Sequence, residues 1–377
     1  MKILFISMHS VHASRWIENL VGTEHELYWY DILDRGKFIN LDNSVIQFFG
    51  MRKRKVPYIK GEYFLSKKTP KLYKLILPFL QATPNEELDR IIHEVNPDII
   101  HSFEMQSCSY PILKTMNKFK SIKWIYSCWG SDIYYYKDLK NHKNKIYNIL
   151  KRVDVLHTDC IRDYNLACEL GFKGEHAGVI PGGSGYHLEN FQKEQTLYTD
   201  RKIILVKGYE HKFGRALNII KALEEIEQSL NEHKICIIVF GGHQKVRDYI
   251  NNNNLNFTVY GRSELTNVEI LNLMGRAKIY IGNSISDGMP NTLLEAIIMG
   301  AFPIQSNPGG VTSEIITDYQ NGICIDAPED IIEIKNKILW AINNSDILSN
   351  ANILNQEIAK KHLDYKVNKI RIQSIYK

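Results

Sequence analysis

Short runs rich in Ile, Leu, Val and aromatic residues alternate with stretches of helical periodicity from one end of the chain to the other. In the first half, residues 3–7, 26–30, 98–103, 123–127, 153–157 and 177–180 read as strands. In the second half, 202–206, 235–240, 257–260, 279–282, 302–305 and 323–325 do the same. Short, nearly continuous apolar runs of this kind suit strands of a parallel sheet that is covered on both faces. Helical patterns lie between them. Thr83-Pro84-Asn85-Glu86 places a hydroxyl at the cap, proline at the first helical position and glutamate at the third, and leads into Leu88, Ile91, Ile92 and Val95. Further helices are predicted over 215–230, 264–274, 292–299 and 330–342. Strands alternating with helices imply βαβ units. Two sets of six strands imply an α/β protein of two doubly wound, Rossmann-like domains.

The break falls near 182–200, where glycine, serine and polar residues cluster and the apolar periodicity lapses. The expected organisation is an N-terminal domain over 1–190 and a C-terminal domain over 191–350. A helical tail over 351–377 is expected to pack across both. The length, 377 residues, suits two such domains.

Composition narrows the function classes. Hydrophobic residues are 44% and charged residues 24%, which excludes collagen-like and disordered chains. No apolar run is long enough to span a bilayer. Met1-Lys2-Ile3-Leu4-Phe5 runs into a strand pattern rather than a leader's apolar core, so a cytoplasmic location is expected. None of the six cysteines forms a C-x-x-C pair, which predicts reduced, buried thiols. The thirteen histidines are scattered, and no metal site is expected.

The formal charge of +5 is unevenly spread. Residues 1–180 hold 26 Lys+Arg against 20 Asp+Glu, and the remainder 21 against 22. The excess concentrates in 52–74, where Arg52-Lys53-Arg54-Lys55, Lys60, Lys67-Lys68, Lys71 and Lys74 face only Glu62. Tyr58, Tyr63, Phe64, Leu72 and Leu75 interleave with them. A solvated face is the plain explanation. Adhesion to an anionic membrane surface or an anionic acceptor is the functional one. No nucleic-acid module accompanies the patch, so nucleic acid is not an expected partner.

Ligands of open parallel sheets sit beyond the carboxyl ends of the strands. Residues 283–296 follow one such end. Gly288 permits a tight turn, and Pro290 and Asn291 stand near a helix start whose first amides offer a seat for hydroxyls or a phosphate. Asp287 in the loop and Glu295 on the first turns of the helix supply carboxylates for polyol hydroxyls. A sugar nucleotide presents such hydroxyls at both ends of a diphosphate.

Asp287 and Glu295, with seven residues between them around a Gly-x-Pro turn, resemble the E-x7-E motif of retaining GT-B glycosyltransferases, specifically glycosyltransferase family 4. The resemblance continues through Ala301-Phe302-Pro303-Ile304, Gly309-Gly310, Glu314-Ile315-Ile316 and Asn321-Gly322. Gly241-Gly242, Gly261, Val179-Ile180-Pro181-Gly182-Gly183, Asp98-Ile99-Ile100-His101 and Trp129-Gly130-Ser131-Asp132 also fit it. It extends over nearly the whole chain. It is most specific over 279–325 and least over 30–95.

The resemblance implies a GT-B fold, with two Rossmann-like domains facing an interdomain cleft. It also implies that a UDP- or GDP-sugar is the donor substrate and that no cofactor is needed. Glu295 would hold the donor ribose. Asp287 would contact the transferred sugar, one methylene shorter than the family's glutamate. Gly288, Met289, Pro290 and Asn291 would line sugar and phosphate. Lys207 stands where the family has an arginine at the diphosphate, with Lys212 or Arg215 as the second cation. Trp129 replaces a family histidine, and His9, His12, His101, Glu104, Trp129 and Asp132 are the acceptor-side candidates. Cations at the leaving diphosphate would replace a metal, and no D-x-D pair occurs in the chain.

The expected activity is metal-independent, retaining hexosyl transfer to a glycan or lipid-linked acceptor in surface polysaccharide assembly, peripheral to the inner face of the membrane. A sugar-nucleotide epimerase or hydrolase, or a non-catalytic sugar-nucleotide-binding protein, are the alternatives. A dehydrogenase is disfavoured, because Phe5-Ile6-Ser7-Met8-His9-Ser10 contains no G-x-G-x-x-G.

Overall fold

A computed structural model describes residues 1–191 and 195–377. The predicted break over 182–200 therefore lies partly outside the described residues. The chain divides into two units. One comprises Met1–Thr158 and Tyr164–Gly178, the other Asp159–Asp163 and Val179–Lys377.

The N-terminal unit is built on β1 (Lys2–Ser7), β2 (Glu26–Asp31), β3 (Ile46–Phe48), β4 (Ile99–Phe103), β5 (Lys123–Ser127), β6 (Val155–Thr158) and β7 (Glu175–Val179). Their order is β3-β2-β1-β4-β5-β6-β7. The pairings from β3 through β6 are parallel. The strands bury Leu4, Ile6, Ile100, Trp124 and Leu156 against helices. Among these is helix Pro84–Val95, which carries the predicted capping box in full, with Thr83 and Glu86 exchanging side-chain and backbone hydrogen bonds. Strand β3 was not visible in the sequence pattern. It is three residues long, pairs only with β2, and leaves Ile46 exposed.

The C-terminal unit is built on β8 (Ile203–Lys207), β9 (Cys236–Gly242), β10 (Thr258–Gly261), β11 (Ala277–Gly282), β12 (Phe302–Ser306) and β13 (Ile323–Ile325). The order is β10-β9-β8-β11-β12-β13, parallel throughout. Sequential strands proceed outward from β8 to β10, then return to the other side of β8 at β11. That reversal is the topological switch point at which such sheets bind ligands. The single helix predicted over 215–230 is divided into Ala216–Glu224 and Glu227–Glu232, with Ile226 leaving helical geometry and entering the core.

The tail is helical over Ser345–Ile358 and Tyr365–Ser374 and falls within the C-terminal unit. Tyr186 donates its amide to the Leu363 carbonyl at 2.7 Å, and Tyr365 returns one to Tyr186 at 2.8 Å. Ala359 and Leu363 pack on Leu293, Leu294 and Ile297 of helix Asn291–Ile298, which is buried on all but one edge. Cys108, Cys128, Cys160 and Cys324 are buried, whereas Cys168 and Cys236 are exposed. Among the described residues, no helix is long and apolar enough to cross a membrane.

The capping box at Thr83 serves an otherwise unsatisfied helix start. Thr83→Ala is expected to lower stability by about 1 kcal/mol, read as a lower denaturant midpoint with an unchanged slope.

Candidate functional site

The switch point of the C-terminal sheet gathers ionisable side chains at the carboxyl ends of four strands. Lys207 ends β8, His243 follows β9, Arg262 follows β10, and Asp287 lies in the loop after β11. The ring of Tyr209 stands among the cations. Lys207 Nζ is 4.9 Å and the Arg262 guanidinium carbon 6.0 Å from its centroid. His243 stacks on it at 5.4 Å, and His211 lies 5.9 Å away. Gly241 makes this approach possible, because a Cβ there would come within 2.6 Å of the Tyr209 ring. Burial and then the charges of His243, Lys207 and Arg262 push the His211 imidazole down, while Asp287 opposes them.

Backbone hydrogen bonds join the loops after β8 and β11. The Arg215 amide donates to Asn283 O at 3.0 Å, and Ile285 donates to Phe213 O at 2.9 Å. This holds Asp287 beside the cationic group. Burial raises the Asp287 carboxyl, opposed first by Lys207, then by the Gly288 amide, Arg162 and His211. Gly288 donates to Asp287 Oδ1 at 3.0 Å. Pro290 begins helix Asn291–Ile298 without a side-chain cap. Glu295 is buried on that helix. The buried Tyr280 hydroxyl, which donates to Thr292 Oγ1 at 2.8 Å, is raised by desolvation and by the charges of Asp287, Glu295 and Tyr209. Asp287 and Glu295 therefore act on one point beneath the turn.

Arg162 fixes this turn from below. Its Nη2 donates to the Asp287 carbonyl at 2.8 Å and its Nη1 to the Pro308 carbonyl at 2.6 Å. Its Nε donates to Asp163 Oδ1 at 2.8 Å. Glu314 accepts the amides of Ile161 at 2.7 Å and Arg162 at 2.8 Å. Asp159 lies against Gly288, where a Cβ would come within 2.8 Å of its Oδ1. Burial, then Asp163, pushes the Asp159 carboxyl well up, with Arg162 opposing.

Arg215, expected at the diphosphate, pairs through Nε with Glu329 at 2.7 Å. Its Nη1 donates to the carbonyls of His211, Lys212 and Gly214, so it staples its own loop. Lys212 is exposed, 5.0 Å from the Phe213 ring. Met289 lines a cavity of about 320 Å³ with Asp159, Leu294, Glu314, Ile315 and Leu363.

In the N-terminal unit, His101 is wholly buried. Its Nε2 is 2.7 Å from Ser127 Oγ, which lies 2.9 Å from His157 Nδ1. Burial and His157 hold it well below the usual histidine range, so it is a neutral residue of the core. Asp132 accepts Tyr126 Oη at 2.8 Å and the amides of Met105 and Trp129 at 3.1 Å, a structural hub. Glu104, at φ 70°, caps the turn Met105–Ser109 through Gln106 and Ser107. The other three candidates are half-buried, His9 and Trp129 just beyond the ends of β1 and β5 and His12 in the first turn of helix Val11–Glu18. His9 stacks on Phe38 at 4.7 Å and meets Gly36 O at 3.0 Å. His12 and Trp129 meet edge-on at 5.6 Å.

Sequence reasoning missed Tyr209, His211, His243, Arg262 and Arg162. All but Arg162 stand within a few residues of a predicted strand end, which was the available signal. Removing Arg162 leaves Asp163 buried without its cation and two carbonyls without donors. Arg162→Ala is expected to cost about 3–5 kcal/mol in denaturant unfolding. Arg162→Lys, which keeps the charge, should cost less.

Residues 188–360 match the family model described as Glycosyl transferases group 1, and residues 2–161 match Glycosyl transferase 4-like. No curated protein matches the sequence. Among solved structures, sucrose-phosphate synthase from Thermosynechococcus elongatus is similar at TM-score 0.73 and 14% identity, covering 100% of this chain and 98% of that one. A glycosyltransferase from Rickettsia africae gives 0.69 and 17%, covering 100% and 97%. Anabaena HepE in complex with UDP and glucose gives 0.68 and 14%, covering 100% and 99%. The chain thus has the GT-B fold, its first part similar to the Glycosyl transferase 4-like model and its second to the Glycosyl transferases group 1 model.

Proposed function

We propose that this chain is a metal-independent, retaining glycosyltransferase of family 4. It moves a hexosyl unit from a UDP- or GDP-sugar to a glycan or lipid-linked acceptor of surface polysaccharide. The observation that carries this reading is the joining, at one switch point, of Lys207, Arg262 and His211 with the carboxylates of Asp287 and Glu295. The cations suit a diphosphate, and charge developing on the departing oxygen would be neutralised by groups already in place. Asp287 and Glu295 suit hydroxyls of the sugar and the ribose. The uncapped start of helix Asn291–Ile298 offers further amide donors. HepE, of the same fold, is described with UDP and glucose bound, which supports a nucleotide-sugar donor. The leaving phosphate would receive the acceptor proton. Residues near His12 and Trp129 would meet the acceptor, and the basic stretch 52–74 suits work at the inner face of a membrane.

A second reading, a sugar-nucleotide epimerase or hydrolase, is favoured by one observation. His211 and Asp287 lie near enough for each charge to act on the other, a pairing that proton transfer at the sugar requires. Incubation with donor alone separates the two, since rapid conversion without acceptor would establish the second.

A thermal-unfolding screen against UDP, GDP, ADP and CMP with their sugars should find one ligand that stabilises by about 2.7 kcal/mol at 100 times its Kd. Turnover should persist in EDTA, and NMR of the product should show the donor's anomeric configuration.

The raised Asp287 carboxyl sets the acid side of the pH profile. Its protonated form persists to higher pH than an ordinary carboxylate's, so kcat/KM should fall on acidification above that range. Lys207 is the largest opposing charge. Lys207→Ala should therefore move the acid limb upward in pH and lower kcat/KM at least about tenfold. An acid limb unmoved by this change would remove Asp287 from the assigned role.

A further inference from the structure

Residues 55–80 form an excursion of the N-terminal unit whose two ends meet at one place. Arg54 and Gln81 form an antiparallel bridge, Lys55 N donates to Leu80 O at 2.8 Å, and Ala82 N donates to Lys53 O at 2.9 Å. The excursion holds helices Glu62–Lys68 and Pro70–Leu80. Glu62 ties them together. Its carboxylate accepts Arg54 Nη1 at 2.6 Å, Arg54 Nη2 at 2.8 Å and Tyr73 Oη at 2.9 Å.

The amphipathic sense of these helices is inverted. A helix resting on a globular core buries its apolar stripe. Here, on helix Pro70–Leu80, only Leu80 is buried, while Leu72, Leu75 and Phe79 recur at i, i+3 and i+7 on the solvent side. Leu75 is 71% and Phe79 75% exposed. On the neighbouring helix, Tyr63 is 77% and Phe64 65% exposed. Exposed lysines border the stripe at Lys60, Lys67, Lys68, Lys71 and Lys74. The one acid of the segment, Glu62, is neutralised internally by Arg54. Contiguous exposed apolar surface of this kind marks an interaction face.

We propose that this helix pair docks the chain on an anionic lipid surface, its aromatic and leucine side chains entering the boundary between headgroups and acyl chains. Charge complementarity selects the occupant. A second copy would bring lysines against lysines, whereas anionic headgroups attract them, and the apolar tips require an interior to enter. The proposal deepens the transferase reading, because it rests on it for the lipid-linked acceptor and names the surface where that acceptor is met.

Flotation of the full chain with vesicles tests it. Binding to phosphatidylcholine–phosphatidylglycerol vesicles should exceed binding to phosphatidylcholine alone at least about tenfold. Because these side chains are exposed, substituting them leaves the core intact. Phe64→Ser, Leu75→Ser and Phe79→Ser combined should lower binding at least about tenfold at both low and high salt. Lys67→Glu, Lys71→Glu and Lys74→Glu combined should abolish it at low salt. Both variants should keep the wild-type thermal response to the nucleotide sugar. Absence of binding to anionic vesicles, or undiminished binding by the serine variant, overturns the proposal. So does a concentration-dependent dimer that the serine variant loses, which would give the face to a second copy. Vesicle binding without any response to nucleotide sugars would retain the docking surface and reject the transferase reading.

Discussion

In a sheet whose strands all run parallel, every strand delivers its carboxyl end to the same edge, and the loops that follow must share that edge. In the C-terminal unit β8 lies between β9 and β11, paired parallel with both, the β11 register shifting once between Ala277 and Ile279. The chain leaves β8 toward one side of the sheet and reaches β11 on the other. The two loops after these strands are the ones that meet at the reversal. Their union is made by the backbone, through Arg215 to Asn283 and Ile285 to Phe213. Side chains separated by about eighty positions in sequence therefore arrive at one place for a topological reason. Lys207 and Asp287 need no direct contact with each other to be held there.

The two units treat buried polar groups in opposite ways, and desolvation explains the difference. Beneath β4, β5 and β6 the chain His101–Ser127–His157 is closed by hydroxyl and imidazole hydrogen bonds, and burial keeps His101 uncharged. Beneath the Asp287 turn, charge is retained. Arg162 is surrounded by Asp163, two carbonyls and the Glu314-bound backbone. A buried guanidinium is tolerated only where its donors are met, and that requirement makes it a brace with a fixed direction. The brace sets the backbone of the turn while leaving the Asp287 carboxylate directed to Gly288 and the cations above it.

Helix Asn291–Ile298 and helix Pro70–Leu80 make a complementary pair. The first is apolar almost all round and is enclosed by the sheet and the C-terminal tail. The second has a comparable apolar content but turns its stripe outward. Their sequences alone do not distinguish them. Enclosure depends on what the rest of the chain places alongside.

The alternation of strand and helix was legible because parallel strands buried on two faces are written as continuous apolar runs. β3 escaped because three residues, one exposed and two half-buried, carry no such run. Asp287, Glu295 and Lys207 were legible as polar residues placed directly after strands or on the helix that follows. His101, Glu104 and Asp132 satisfied much the same criterion and proved to be core, cap and hub. A one-dimensional pattern gives a residue's place at the sheet edge but not whether its side chain turns inward. Arg162 was hidden most thoroughly, since its partner carbonyl lies 125 residues away and a carbonyl leaves no trace in side-chain identity. By itself, then, the amino-acid order determined the strands, the helices and which residues reach the carboxyl edge, because these follow from local propensity and apolar periodicity. Which of those residues turn inward to be buried or hydrogen-bonded was set by the tertiary structure, because desolvation and hydrogen bonding depend on neighbours that the chain supplies from far away.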